Sequence, residues 1–125
     1  MIALDASALL AWLFTEEGHE TVAPHLSQSR ISAINLSEVL GRIARVGDDA
    51  GALHHLIGRT TLEVVPFAAE DALLAAELIP ATAALGLSLG DRACLALAKR
   101  HAIPAITADR AWAKLDLGIT IQVIR

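Results

Sequence analysis

Four acidic residues, Asp5, Glu38, Asp91 and Asp109, stand where chemistry is the first question to ask. Asp5 closes the apolar run "IALD", Glu38 lies just beyond "RISAI", and Asp109 just beyond "IPAIT". Asp91 falls inside "LSLGDRACLALA" (87–98). At 100° per residue it shares a helical face with Leu87, Cys94, Leu95 and Ala98, with Arg92, Lys99 and Arg100 on the other side. A carboxylate on the packed side of a helix must shed water, so Asp91 needs a partner. Four acids brought to one place would repel each other, and cations resolve that repulsion. An all-oxygen set of this kind suits a hard divalent ion, Mg²⁺ or Mn²⁺, and not zinc. His19, His25, His54, His55 and His101 supply no ligand pair at helical i, i+4 spacing and are assigned to surface or core.

Each acid also has a structural explanation. Asp5 or Ser7 can cap the helix that follows. Asn35 with Glu38 three residues on fits a capping box, and Glu38 can pair with Arg42 at i+4. Asp109 is a natural cap for "RAWAKL". Only Asp91 resists, because Ser88 is the better cap for its helix.

The elements that must position these residues alternate. Strands are expected at 2–5, 30–34, 62–67, 103–107 and 119–124. Helices are expected at 6–14, 17–28 (with Pro24 an obstacle), 35–47, 48–58, 68–85 (bent or broken at Pro80), 88–101 and 109–115. Short apolar strands alternating with helices imply an α/β fold, a central and mostly parallel sheet of about five strands with helices on both faces. Ligands in such sheets collect at the carboxyl ends of the strands, the edge to which all four acids are assigned.

The 125 residues make one domain, taken as 1–125. Hydrophobic residues make up 54% and aromatics only 3%, so the core must be aliphatic, and the surplus apolar surface suggests a buried interface with another subunit or a partner. The net charge of −4 argues against non-specific nucleic-acid binding, but fourteen acids less the four candidates leave ten against ten bases. The lone cysteine, Cys94, excludes an internal disulfide and a cysteine-based zinc site. The N-terminus has no basic segment before its apolar run, and acidic "TEE" follows it, so no signal peptide and no membrane span are expected; the expected location is cytoplasmic.

"IALDASALLAWLF", "NLSEVLGR", "LSLGDRACLALAKR" and "AITADRAWAKL", in this order and spacing, resemble the PIN domain, and within it the VapC-type toxins of bacterial toxin–antitoxin pairs. The resemblance implies a Mg²⁺- or Mn²⁺-dependent endoribonuclease, a homodimer, inhibited by a cognate antitoxin protein. Carried across by position, the family's acidic quartet, catalytic and metal-binding, falls on Asp5, Glu38, Asp91 and Asp109. Its small hydroxyl residue falls on Ser7 and its threonine on Thr107. A further acid found in some members would stand at position 111, which here is Ala111; Asp116 is the only nearby substitute.

Such a site uses water as the nucleophile and leaves 5′-phosphate and 3′-hydroxyl ends. Arg42, Arg45, Arg92 and Arg110 neighbour the proposed ligands and are the candidate RNA phosphate contacts. Trp12 and Trp112 sit at apolar helical spacing and are assigned to core or interface. A signalling receiver would want paired acids in "IALDAS", and an aspartyl phosphatase would want an acid where Ser7 stands. A metal-free PIN-like module that only binds RNA or protein is the remaining alternative.

Overall fold

The structure is a computed structural model describing residues Met1–Arg125. Five short strands, β1 (Ile2–Leu4), β2 (Ser29–Ser32), β3 (Glu63–Val65), β4 (Ala105–Thr107) and β5 (Ile121–Val123), form one sheet in the order β3-β2-β1-β4-β5. Every pairing is parallel. The α/β expectation therefore holds, in its all-parallel form.

Seven α-helices cover the sheet: α1 (Ala6–Leu13), α2 (His19–Val22), α3 (Ala33–Arg45), α4 (Ala50–Ile57), α5 (Ala69–Glu77), α6 (Ile79–Thr82) and α7 (Leu89–His101). Three expected helices take other forms. The stretch 17–28 is the single turn of α2 followed by a 3₁₀ segment, Ala23–Gln28, in which Pro24 occupies the first turn. The stretch 68–85 divides into α5, α6 and a 3₁₀ turn, Ala83–Leu85, with Pro80 in the opening turn of α6, where its missing N–H costs nothing. The stretch 109–115 is a 3₁₀ helix, Arg110–Lys114. No helix is long and apolar enough to cross a membrane.

Two apolar cores lie on opposite faces of the sheet, and the strand period of two sorts residues between them. Ile2, Leu4 and Ile106 join α1 and α3 in one; Ala3 and Ala105 join α7 and Trp112 in the other. The small side chains at 3 and 105 let α7 approach closely. Its residues Ala93 to Ala98 are buried without a break, as expected of a helix enclosed on all sides.

The chain winds outward from β1 to β2 and β3, then crosses to β4 and β5. The topological switch thus lies between β1 and β4, and their carboxyl ends define the crevice where a ligand belongs. Asp5 follows β1 directly, and Thr107 ends β4.

Candidate active site

Asp5 is the N-cap residue of α1 by position, yet its side chain makes no cap hydrogen bond. Its Oδ2 instead accepts from Ser7 Oγ at 2.5 Å and from Thr107 Oγ1 at 2.9 Å. Ser7 Oγ in turn accepts from the Ala108 amide, and Thr107 Oγ1 from the Asp109 amide. Both hydroxyl protons are therefore committed to one carboxylate oxygen, which ties the ends of β1 and β4 across the switch point. Asp5 is 4% exposed and has no cation partner. Burial pushes its carboxyl up to about 6; the two hydroxyls pull the other way, and the charges of Asp91 and Glu38 add to the rise.

Glu38 projects from α3. The capping-box explanation for it fails, because the N-cap of α3 is Ser32, whose side chain accepts from the Ile34 amide. Asn35 has another task. Its buried amide donates to Glu38 Oε1 and to the Gly90 carbonyl, both at 2.9 Å, and so fastens α3 to the start of α7. Nor does Glu38 pair with Arg42, which takes part in no ion pair.

Asp91 is half-buried rather than enclosed, and it does share a capping box with Ser88: Ser88 N donates to Asp91 Oδ2 at 2.8 Å, and Asp91 N donates to Ser88 Oγ at 3.2 Å. The expectation that no cap accounts for Asp91 is thus corrected. The cap uses one of its oxygens and orients the other.

Asp5, Ser7, Glu38, Asp91, Arg42 and Arg45, with Ala6 and Leu10, line a cavity of about 300 Å³. Cys94 lies beneath it; burial, and then the charges of Asp5, Asp91 and Glu38, push its thiol up, which makes it an inert core residue. Asp109 does not line the cavity: its Oδ1 accepts from the Ala111 amide and caps the 3₁₀ helix. Two of the four arginines are also placed elsewhere. Arg92 donates to the Ala75 carbonyl at the end of α5, and Arg110 to the Arg125 carbonyl. Asp116 is exposed and likewise outside the cavity.

The donor set fits a hard divalent ion. One oxygen each of Asp5, Glu38 and Asp91 is fixed by a hydrogen bond, the other makes none, and the unbonded Asp5 oxygen is not sealed in protein. The three share the cavity lining without forming a closed ligand group. Two contributors escaped the sequence reading. Asn35 passed as a cap residue although Ser32 was available for that task, and Gly90 is an unexplained glycine in a helical turn. A Cβ on Gly90 would run into the Glu38 carboxylate.

The sequence matches the PIN domain over residues 2–117. The chain belongs to the PIN domain family. No curated protein matches it in sequence. Among solved structures, this PIN domain is similar to a DNA-bound VapBC from Salmonella typhimurium, with TM-score 0.73, 19% identity, and 99% of this chain and 98% of that one covered. It is similar also to Mycobacterium tuberculosis VapC20, a sarcin–ricin loop cleaving toxin, with TM-score 0.74, 18% identity and coverage of 96% and 99%. A toxin–antitoxin complex from Klebsiella pneumoniae gives 0.73, 18%, and coverage of 95% and 94%. The PIN fold is thus shared along nearly the whole chain with proteins of toxin–antitoxin pairs.

Proposed function

We infer that the chain is a Mg²⁺- or Mn²⁺-dependent endoribonuclease, the toxin of a toxin–antitoxin pair, held inactive by a protein antitoxin and working as a homodimer in the cytoplasm. One observation carries the catalytic reading. Asp5, Glu38 and Asp91 line a single cavity, each with an unbonded oxygen, and no cation of the chain is paired with any of them. The likeness to VapC20 and to the toxin–antitoxin complexes supports the substrate class and the partner.

Asp5, pinned by Ser7 and Thr107, would hold the ion together with Asp91 and Glu38, and Asp109, whose Oδ2 is free, would be the outer member of the set. A divalent ion held there would supply the charge that acidifies water and counters the charge growing on the phosphoryl oxygens. No histidine lines the cavity, so the chain offers no imidazole for a base. Water is therefore the nucleophile: its oxygen bonds to phosphorus, the bond to the 3′ oxygen breaks, and that oxygen leaves with a proton as a 3′-hydroxyl.

The test is cleavage of total cellular RNA with Mg²⁺ or Mn²⁺, with a chelator control and Asp91→Asn. Asparagine keeps an oxygen for the Ser88 amide, so the cap of α7 survives. The reading requires metal-dependent cuts with 5′-phosphate ends and their loss in Asp91→Asn. Cyclic phosphate ends, or an active variant, would refute it.

A further inference from the structure

The cations and aromatic rings of the chain can be sorted by what already occupies them. Arg30 pairs with Glu63, Arg100 with Glu70 and Asp71, and Arg125 with Glu16, while Arg92 and Arg110 are bonded to carbonyls. Arg42 and Arg45 alone line the carboxylate cavity, and both are exposed and unpaired. The aromatic residues are four. Trp112 is core and Phe67 packs against that same core, while Trp12, 40% exposed and so as open as Phe14, lines an apolar cavity on the other side of α1, away from the carboxylates. Phe14 remains, 39% exposed.

Phe14 caps the carboxyl end of α1 one turn beyond Leu10, which lines the carboxylate cavity. The chain leaves the helix through Thr15 in the left-handed region, φ 54°, and the Phe14 amide stays bonded to Leu10 O at 2.9 Å. The guanidinium of Arg42 lies over the Phe14 ring, 5.5 Å from its centroid, within the range of a cation–π contact. A cation held over a ring, beside a cavity of carboxylates, meets the requirements of a single-stranded nucleotide: a flat surface for a base and a positive charge for its phosphate.

Resting on the endoribonuclease reading above, we propose that the Phe14–Arg42 pair is the nucleotide-positioning element of the site: it stacks the base next to the scissile bond, and Arg45 contacts that nucleotide's phosphate. Neither arginine is spent neutralising the carboxylates, so the cavity keeps its charge for the ion and its rim keeps positive charge for the strand. The pair is a positioning device, and its loss raises KM more than it lowers kcat.

The test uses the full chain in an Asp91→Asn background and a short 5′-fluorescein single-stranded RNA, with affinity read by anisotropy across a salt series. Phe14→Leu keeps apolar volume but has no ring; it weakens binding about tenfold and leaves the salt slope unchanged, while Phe14→Tyr binds like the parent. Arg42→Lys keeps the charge without the plane and behaves like Phe14→Leu. Arg45→Ala lowers the slope of log affinity against log salt by about 0.7, one phosphate contact on a single strand. The same changes at Phe14 and Arg42, in chains with Asp91 intact, are assayed for cleavage of total RNA. An intact chain that neither cleaves RNA nor binds the oligonucleotide removes the nuclease reading and this proposal together. An intact chain that cleaves, while Phe14→Leu and Arg42→Lys keep its affinity and KM, overturns this proposal alone.

Discussion

Asp5 and Asp71 are both aspartates that are 4% exposed, and their surroundings could hardly differ more. Asp71 receives Arg100 Nη1 on both oxygens, at 2.9 and 3.0 Å, and the Ala68 amide at 2.8 Å. Its charge is answered within the chain, and the result fastens α5 to α7. Asp5 receives only two neutral hydroxyls, and the charged groups that act on it are acids. Removing a carboxylate from water costs several kcal/mol even after relaxation. A fold that meets this cost with an arginine at one position and leaves it unmet at another has reserved the second for a charge that comes from outside.

Exchanging each aspartate for asparagine breaks the comparison most directly. Asp5→Asn abolishes RNA cleavage, a loss above the roughly 10–100-fold typical of residues that only support a metal ligand. Asp71→Asn leaves cleavage intact at temperatures where the protein stays folded. Denaturant unfolding in chelator then separates the two by sign. Asp5→Asn keeps an acceptor for both hydroxyls and removes the buried charge; a shift from 3.8 to about 6, at 1.36 kcal/mol per unit, makes it more stable above pH 6 by at most about 3 kcal/mol. Asp71→Asn loses the charge that answers Arg100 and is less stable by roughly 1–3 kcal/mol.

The pH dependence of the metal-free protein follows from the same group. Because the folded carboxyl of Asp5 holds its proton to higher pH than the unfolded one, its contribution to stability is fully present below pH 3.8 and is lost as pH rises through about 6. Unfolding curves from pH 4 to 7 should show this decline in the parent and its absence in Asp5→Asn.

The smallest effect on the fold, with a partial loss at the site, is expected from Gly90→Ala. The new methyl meets the end of the flexible Glu38 side chain, which can move aside, and alanine is the better helix former by up to about 1 kcal/mol. The melting temperature holds or rises. Cleavage falls, because Glu38 can no longer sit against α7 on the Asn35 amide.

The alternation of strands and helices, and the approach of residues 5, 38 and 91, follow from patterns visible in the chain: apolar runs that end in acids, separated by helical periods; the strand order came only from the structure. What escaped has specific physical causes. Proline at 24 and at 80 marked a break without saying on which side the helix resumes, because proline fits a first turn as readily as it ends a preceding one. For Asp109 the cap was legible, and what its position after a strand did not show is that a carboxylate capping the 3₁₀ helix lies outside the cavity lining. The cap on Asp91 was missed because Ser88 looked sufficient, whereas the box uses both residues. The roles of Asn35 and Gly90 depend on α3 meeting α7 across 55 positions of chain, which no local period reports.

The central claim is that Asp5, Glu38 and Asp91 together hold a divalent ion. Calorimetric titration of the chelator-stripped protein with Mn²⁺, alongside Asp5→Asn and Asp71→Asn, tests it without any RNA. Saturable binding by the parent and by Asp71→Asn, with binding lost in Asp5→Asn, is the predicted result. Equal binding by all three proteins, or none by the parent, would contradict the account.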